Sequence, residues 1–310
     1  MRKYFVTGFY LIIVGGILLL GGILMGANRS VVWDHGFKVT QRVNETYPLS
    51  DFKNIYIEGR DTNVNLKLGD RYKIRIDGDK SQMPEYKVKD DTLTVNGKSV
   101  KKQVGAGVIG RQEVTITIPM NKTLDNVNLR LADSNIKIND VSIDKMIKSS
   151  KDLDYDSNLY LNNVTVNNAD KVNLYNATMS MKNSKVSNMS LIAGAYATVK
   201  ADSTTITKSS FSLDESKLTI IKSNLDSVKS LANHSKVNLD TITLMNRNEF
   251  RLFGSGKFTG KAITTDGLDL AADNSFIDYF GKNYGKAYQS RIDANNLLYV
   301  KSTKAPIIIK

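Results

Sequence analysis

Three aspartates alternate at Asp152, Asp154 and Asp156, and alternate positions of an extended strand share one face. Paired carboxylates on a groove can cleave a glycosidic bond, and an acidic loop can hold calcium. This stretch lacks the glycine and the distal glutamate of a calcium loop, so a solvated strand face is expected. Gly105-Ala106-Gly107-Val108-Ile109-Gly110 matches the dinucleotide fingerprint letter by letter. That fingerprint needs a strand before it and a helix N-terminus after it to hold pyrophosphate. Here Arg111-Gln112-Glu113 runs straight into the strand-like Val114-Thr115-Ile116-Thr117-Ile118, which predicts a hairpin loop. The two histidines, His35 and His234, lack metal-ligand spacing, and both read as surface residues without chemistry. The tail from Tyr279 to Tyr288 interleaves aromatics with lysines. Such a mixture can stack on sugars or rest on an anionic surface, and it can equally cover the last repeat of a stack. Tyr279, Lys282, Tyr284, Lys286 and Tyr288 are therefore the candidate surface-binding residues. No catalytic residue, cofactor or metal ligand is expected.

The elements that must position these residues carry a weak repeat. Apolar-x-apolar triplets begin at Ile136, Leu159, Met179, Ala197, Leu218 and Val237, separated by 23, 20, 18, 21 and 19 positions. Further triplets lie between them, among them Val172-Asn173-Leu174, Phe211-Ser212-Leu213 and Val228-Lys229-Ser230-Leu231. The outer residues of a triplet share one face, and Asn, Asp and Ser between triplets supply sharp corners. Three short strands per coil of about twenty residues predict an all-β, parallel β-solenoid with coils about 4.8 Å apart. Helical repeats are excluded, since no long stretch after the N-terminus keeps helical periodicity. Residues 50–130 hold longer strand patterns and read as a β-rich lead-in, with room for antiparallel pairs. Residues 131–310 read as coils plus a C-terminal cap.

Tyr4 to Ala27 is 24 positions without a charge. A helix of that length reaches roughly 36 Å, enough for a hydrocarbon core of about 30 Å. Arg2 and Lys3 precede it, so residues 1–3 are expected in the cytoplasm, 4–27 in the membrane and the remainder outside. Residues 28–49 then form a linker, with Trp33 near the outer interface. Met25-Gly26-Ala27 is a poor cleavage site, which favours an uncleaved anchor over a secretory signal. Gly22 and Gly26 form one small-xxx-small pair that could let two anchors pack. The chain has no cysteine, so the exported part holds without disulfides. Its 43 basic and 31 acidic residues give a net charge of +12. The expected partners are the membrane itself, an anionic wall polymer, lipid headgroups or a membrane protein. Nucleic acid is excluded by the compartment.

The chain resembles the bacterial "putative adhesin" domain family of unknown function, common in Gram-positive bacteria. The resemblance is carried by Phe52-Lys53-Asn54-Ile55-Tyr56-Ile57 with Val64-Asn65-Leu66, then by Tyr86 to Val95 and Val114 to Pro119. Leu124-Asp125-Asn126-Val127-Asn128-Leu129 and the run of triplets complete it. The family implies a right-handed β-solenoid, membership of cell-envelope stress operons for some members, and no catalytic residues. The expected function is a non-enzymatic, membrane-anchored adhesin or envelope-interaction protein. The alternatives are an accessory or sensor protein of an envelope stress response, and a polysaccharide lyase or hydrolase.

Overall fold

Period-two alternation of apolar and polar residues makes strands that bury one face and wet the other, and after the N-terminus this pattern dominates the chain. The computed structural model describes residues 2–24, 31–33, 37–39, 41–98, 103–104, 111–120, 122–149 and 156–310. Among the described residues the protein is all-β apart from one N-terminal helix, Arg2–Leu24, and one short 3-10 turn, Lys80–Gln82. Within the helix, Tyr4–Gly22 is long and apolar enough to cross a membrane, and none of it is buried against the protein. Its length and composition suit a membrane span or a signal sequence. Met25-Gly26-Ala27, His35 and the glycine-rich run at 105–110 lie outside the described residues.

Successive repeats pair in parallel. Thr178–Lys182, Lys185–Ser187 and Ser190–Gly194 lie against Thr198–Asp202, Thr205–Thr207 and Ser210–Asp214, each displaced by one repeat. The same pairing continues from Asn135–Asn139 through Asn158–Asn162 and on to Lys217–Asp226, Lys236–Met245 and Lys257–Thr264. The sheet is nevertheless mixed. At one end Arg42–Pro48 pairs antiparallel with Lys73–Asp79, and Glu85–Lys89 with Thr92–Asn96. At the other, Lys282–Asn283 and Ala287–Ser290 run antiparallel to Ile277–Tyr279 and Gly267–Asp273. A two-residue turn makes a hairpin at each end, Asp90-Asp91 (φ 49° and 54°) and Phe280-Gly281 (φ 51° and 78°). Two consecutive positive φ values are the type I′ geometry, whose twist matches that of paired strands.

Corners between strands follow one local rule. A residue in the left-handed region is followed by a buried Ser or Thr, as in Asp133-Ser134, Asn183-Ser184, Ser203-Thr204 and Glu215-Ser216. The hydroxyl donates to the carbonyl two residues back and accepts a backbone N–H from the neighbouring repeat. Thr204 Oγ1 donates to Asp202 O (2.9 Å) and accepts from Ser184 N (3.5 Å), while Ser223 Oγ accepts from Thr204 N (3.0 Å). Backbone groups that a corner would otherwise orphan are thereby satisfied. Beside these chains runs an asparagine file, in which Asn135 N donates to Asn63 Oδ1 (2.9 Å) and Asn158 Nδ2 to Asn135 Oδ1 (3.0 Å).

Inward residues of the triplets form one continuous core that includes Ile136, Leu159, Met179, Val199, Leu218 and Val237. The triplet Val228-Lys229-Ser230-Leu231 departs from expectation. Val228, Ser230 and Ala232 point inward, and Leu231 is 53% exposed. Ser230 is in register between Phe211 and Phe250. A small side chain between two phenyl rings keeps the interior filled without strain.

Candidate binding surfaces

The tail candidates come together on the terminal hairpin. Phe280 and Gly281 turn the chain between Tyr279 and Lys282, which pair directly. The Asp278 carboxylate accepts Gly281 N (2.8 Å) and the Asn283 side chain accepts Gly285 N (2.8 Å), so short polar side chains fix both bends. Tyr279 stacks on Tyr288 with ring centroids 4.4 Å apart, and Tyr284 meets Tyr288 edge-on at 4.8 Å. Phe280 meets Tyr279 edge-on at 4.8 Å and is 67% exposed. The Lys282 ammonium lies 5.0 Å from the Tyr284 ring centre, within cation–π range. Lys286 is exposed on the same hairpin, and its carbonyl accepts Ala272 N (2.8 Å). Withdrawal from water, then the hydrogen bond to Tyr279, pushes the Tyr288 phenol above its ordinary pKa. The hairpin thus presents a preassembled aromatic surface with a cation at its edge.

A second surface could not be read from the sequence. An open groove of ≈ 540 Å³ is lined by Tyr196, Glu215, Lys217, His234, Lys236 and Ser255, among others. Tyr196, Glu215 and His234 occupy successive corners, all left-handed, with φ of 67°, 47° and 45°. Holding a tyrosine there costs on the order of 1–2 kcal/mol, and its side chain is 76% exposed. His234 Nδ1 lies 2.8 Å from Ser255 Oγ and accepts Ser255 N at 3.3 Å, which leaves the ring proton on Nε2. The ring packs over Gly254, where a Cβ would come within 2.6 Å of it. His234 is exposed at a corner, as expected of a surface histidine, and it also lines the groove.

Asp152 and Asp154 lie outside the described residues. The Asp156 side chain is fully buried, not solvated. Its carboxylate accepts Lys148 Nζ at 2.5 Å, Ser157 N at 2.6 Å and Tyr175 N at 3.0 Å, and Lys148 Nζ also donates to Asn173 O at 2.7 Å. Burial lowers the Lys148 pKa, and Asp156 opposes that shift. This buried, hydrogen-bonded ion pair ties Ser142–Ser149 to Thr165–Tyr175. Among the described residues no group of three or more His, Cys, Asp or Glu is placed to hold a metal ion.

Among curated proteins none matches the chain by sequence. Solved structures that resemble it include a "putative adhesin" from Bacteroides fragilis NCTC 9343, 12% identical, with a TM-score of 0.39 over 87% of this chain and 97% of that one. Another is a "putative lipid binding protein" from Parabacteroides distasonis ATCC 8503, 12% identical, with a TM-score of 0.43 over 87% and 97%. A third is a "putative cell adhesion protein" from Clostridium sporogenes ATCC 15579, 10% identical, with a TM-score of 0.27 over 87% and 99%. The Toastrack DUF4097 family profile matches residues 52–272. That span covers most of the chain and takes in the parallel repeats and the groove, so the protein belongs to the Toastrack DUF4097 family.

Proposed function

We propose that the protein is a non-enzymatic, adhesin-like β-solenoid of the bacterial cell envelope. Arg2–Leu24 tethers it with the N-terminus in the cytoplasm, and the β-structure stands outside as a lead-in over 50–130 followed by coils and a cap over 131–310. Parallel pairing of each repeat with the next supports the winding. Eleven strands stand in one file between Gln112–Pro119 and Ile277–Tyr279. At about 4.8 Å per strand such a file is on the order of 50 Å long.

The observation that carries the reading is the exposed aromatic hairpin at the end of this file away from the anchor-proximal strands. Rigid rings with few rotamers make contact area at low entropic cost. Tyr279, Lys282, Tyr284, Lys286 and Tyr288 are the residues proposed to engage a partner across the envelope. The test is cosedimentation of the full chain, held in nanodiscs, with purified cell-wall fragments. Phe280→Ser combined with Tyr284→Ser is expected to weaken retention about tenfold, since central aromatic contacts dominate interfaces. Retention equal to that of the parent protein would count against the hairpin as the contact surface.

A further inference from the structure

One register position on the outer face changes character along the stack. Its strand partners are Asn63, Asn135 and Asn158, then Thr178 and Thr198, then Lys217, Lys236 and Lys257. The asparagines satisfy one another, because an amide both donates and accepts. Three lysines in the same positions cannot. Ammonium groups only donate, and like charges directly opposite on neighbouring strands repel. All three are exposed, and among the described residues none forms a side-chain ion pair with a carboxylate. An arrangement that disfavours itself in the free protein is favoured once an anion lies across it.

The surroundings narrow that anion's chemistry. Lys217 and Lys236 open into the groove that also holds Tyr196, His234, Glu215 and Ser255. Two lysines on strands about 4.8 Å apart can both reach the oxygens of one phosphate, which offers more acceptor positions than a single carboxylate. The His234 ring and the Ser255 hydroxyl add hydrogen-bonding capacity. Glu215 lines the same groove and would repel a bare polyanion, yet it is a good acceptor for hydroxyl groups. The exposed Tyr196 ring offers a face for carbon-bound hydrogens. We propose that this groove binds a polyol phosphodiester, with phosphate on Lys217 and Lys236, hydroxyls on Glu215 and the polyol carbons against Tyr196. Lys257 extends the ladder by one strand, so a ligand with repeating phosphates would lie along the stack. This site is separate from the aromatic hairpin and does not depend on that surface binding anything.

Glycerol phosphate units occur both in soluble polymers and in lipid headgroups, and the test separates these sources. Binding of the full chain in neutral-lipid nanodiscs to labelled short oligo(glycerol phosphate) is measured by fluorescence anisotropy. Retention on phosphatidylglycerol vesicles is measured in parallel, with poly-glutamate as a phosphate-free polyanion. Lys217→Gln with Lys236→Gln is expected to weaken binding about tenfold or more. Lys137→Gln with Lys185→Gln removes the same charge elsewhere and is expected to change it less than about twofold. Preference for the soluble oligomer assigns the polymer, and preference for vesicles assigns the headgroup. Equal affinity for poly-glutamate, equal loss in both double variants, or no binding by the parent protein would overturn the proposal. Thermal unfolding guards against misfolding. The groove variant is expected to unfold no lower than the parent without ligand, and to lose the rise in Tm that the oligomer gives the parent.

Discussion

Lys148 and Asp156 carry opposite charges in a site that excludes water, and each has hydrogen bonds beyond the pair. Removing one partner strands the other. Asp156→Ala is expected to destabilise the fold by about 3–5 kcal/mol, whereas Lys148→Met with Asp156→Leu recovers only part of that loss, because Ser157 N–H and Tyr175 N–H lose their acceptor. Chemical unfolding of the three variants checks the ordering. A different carboxylate is poorly placed at Asp61. Partial burial first, then the hydrogen bond and charge of Asp133, raise its pKa. Elsewhere stacked corners pair Asn with Asp, as Asn163 Nδ2 does with Asp140 Oδ1 at 2.8 Å. Asp61→Asn is thus expected to stabilise by about 0.5–1 kcal/mol at pH 7. The sign follows from linkage, because a raised pKa in the folded state means stability present in acid and lost as pH rises through that pKa. The gain from Asn should therefore fade below pH ~4, and thermal unfolding at both pH values reads it. Neither behaviour was legible in the sequence. Alternation placed Asp156 on a face, but only the fold brings Lys148, eight residues upstream, to it.

At the scale of the strand and corner, the triplets were a good guide because period two is a property of extended backbone. Met179, Met181, Phe211 and Leu213 are buried as the pattern requires. Leu231 misled because hydrophobicity alone chose the face, while packing between Phe211 and Phe250 demanded something small. Corners were only half legible. Asn and Asp at left-handed positions follow local preference, but Lys208, Glu215 and Lys222 sit there too, held by the pairing of neighbouring repeats. The recurring feature is the hydroxyl that comes next. Thr204→Val keeps the volume and removes that hydroxyl, leaving Ser184 N–H buried without its acceptor. The expected cost is about 1–3 kcal/mol, while Thr204→Ser retains the acceptor and should stay close to the parent apart from one lost methyl group. Denaturant titrations of the pair distinguish a hydrogen-bond effect from a packing effect. The groove escaped notice for a related reason: its residues come from corners about twenty positions apart, and no local motif joins Tyr196 to His234.

Across the whole molecule, chain order and stacking order part company at both ends. Thr62–Gly69 lies between Gln112–Pro119 and Asn135–Asn139. Leu297–Thr303 lies between Arg247–Phe253 and Gly267–Asp273, and Ile307–Ile309 between Lys257–Thr264 and Ile277–Tyr279. A periodic pattern tells which face of a strand is buried, not which strand lies beside it, so this insertion could not be read in advance. It makes the C-terminus a mount for the aromatic hairpin, since Phe280 N also donates to Ile309 O at 2.8 Å. Deleting residues 295–310 should consequently leave Arg247–Phe253 and Lys257–Thr264 with an unpaired edge and detach Gly267–Ser290 from the stack. Stacked repeats contact chiefly their neighbours, so the damage should stay local. Hydrogen exchange is expected to accelerate across 247–290, while amides of Asn158–Leu213 keep their protection. If protection fell evenly through 158–245, the stack would instead be one cooperative unit, and the hairpin's support would reside in the entire file of strands.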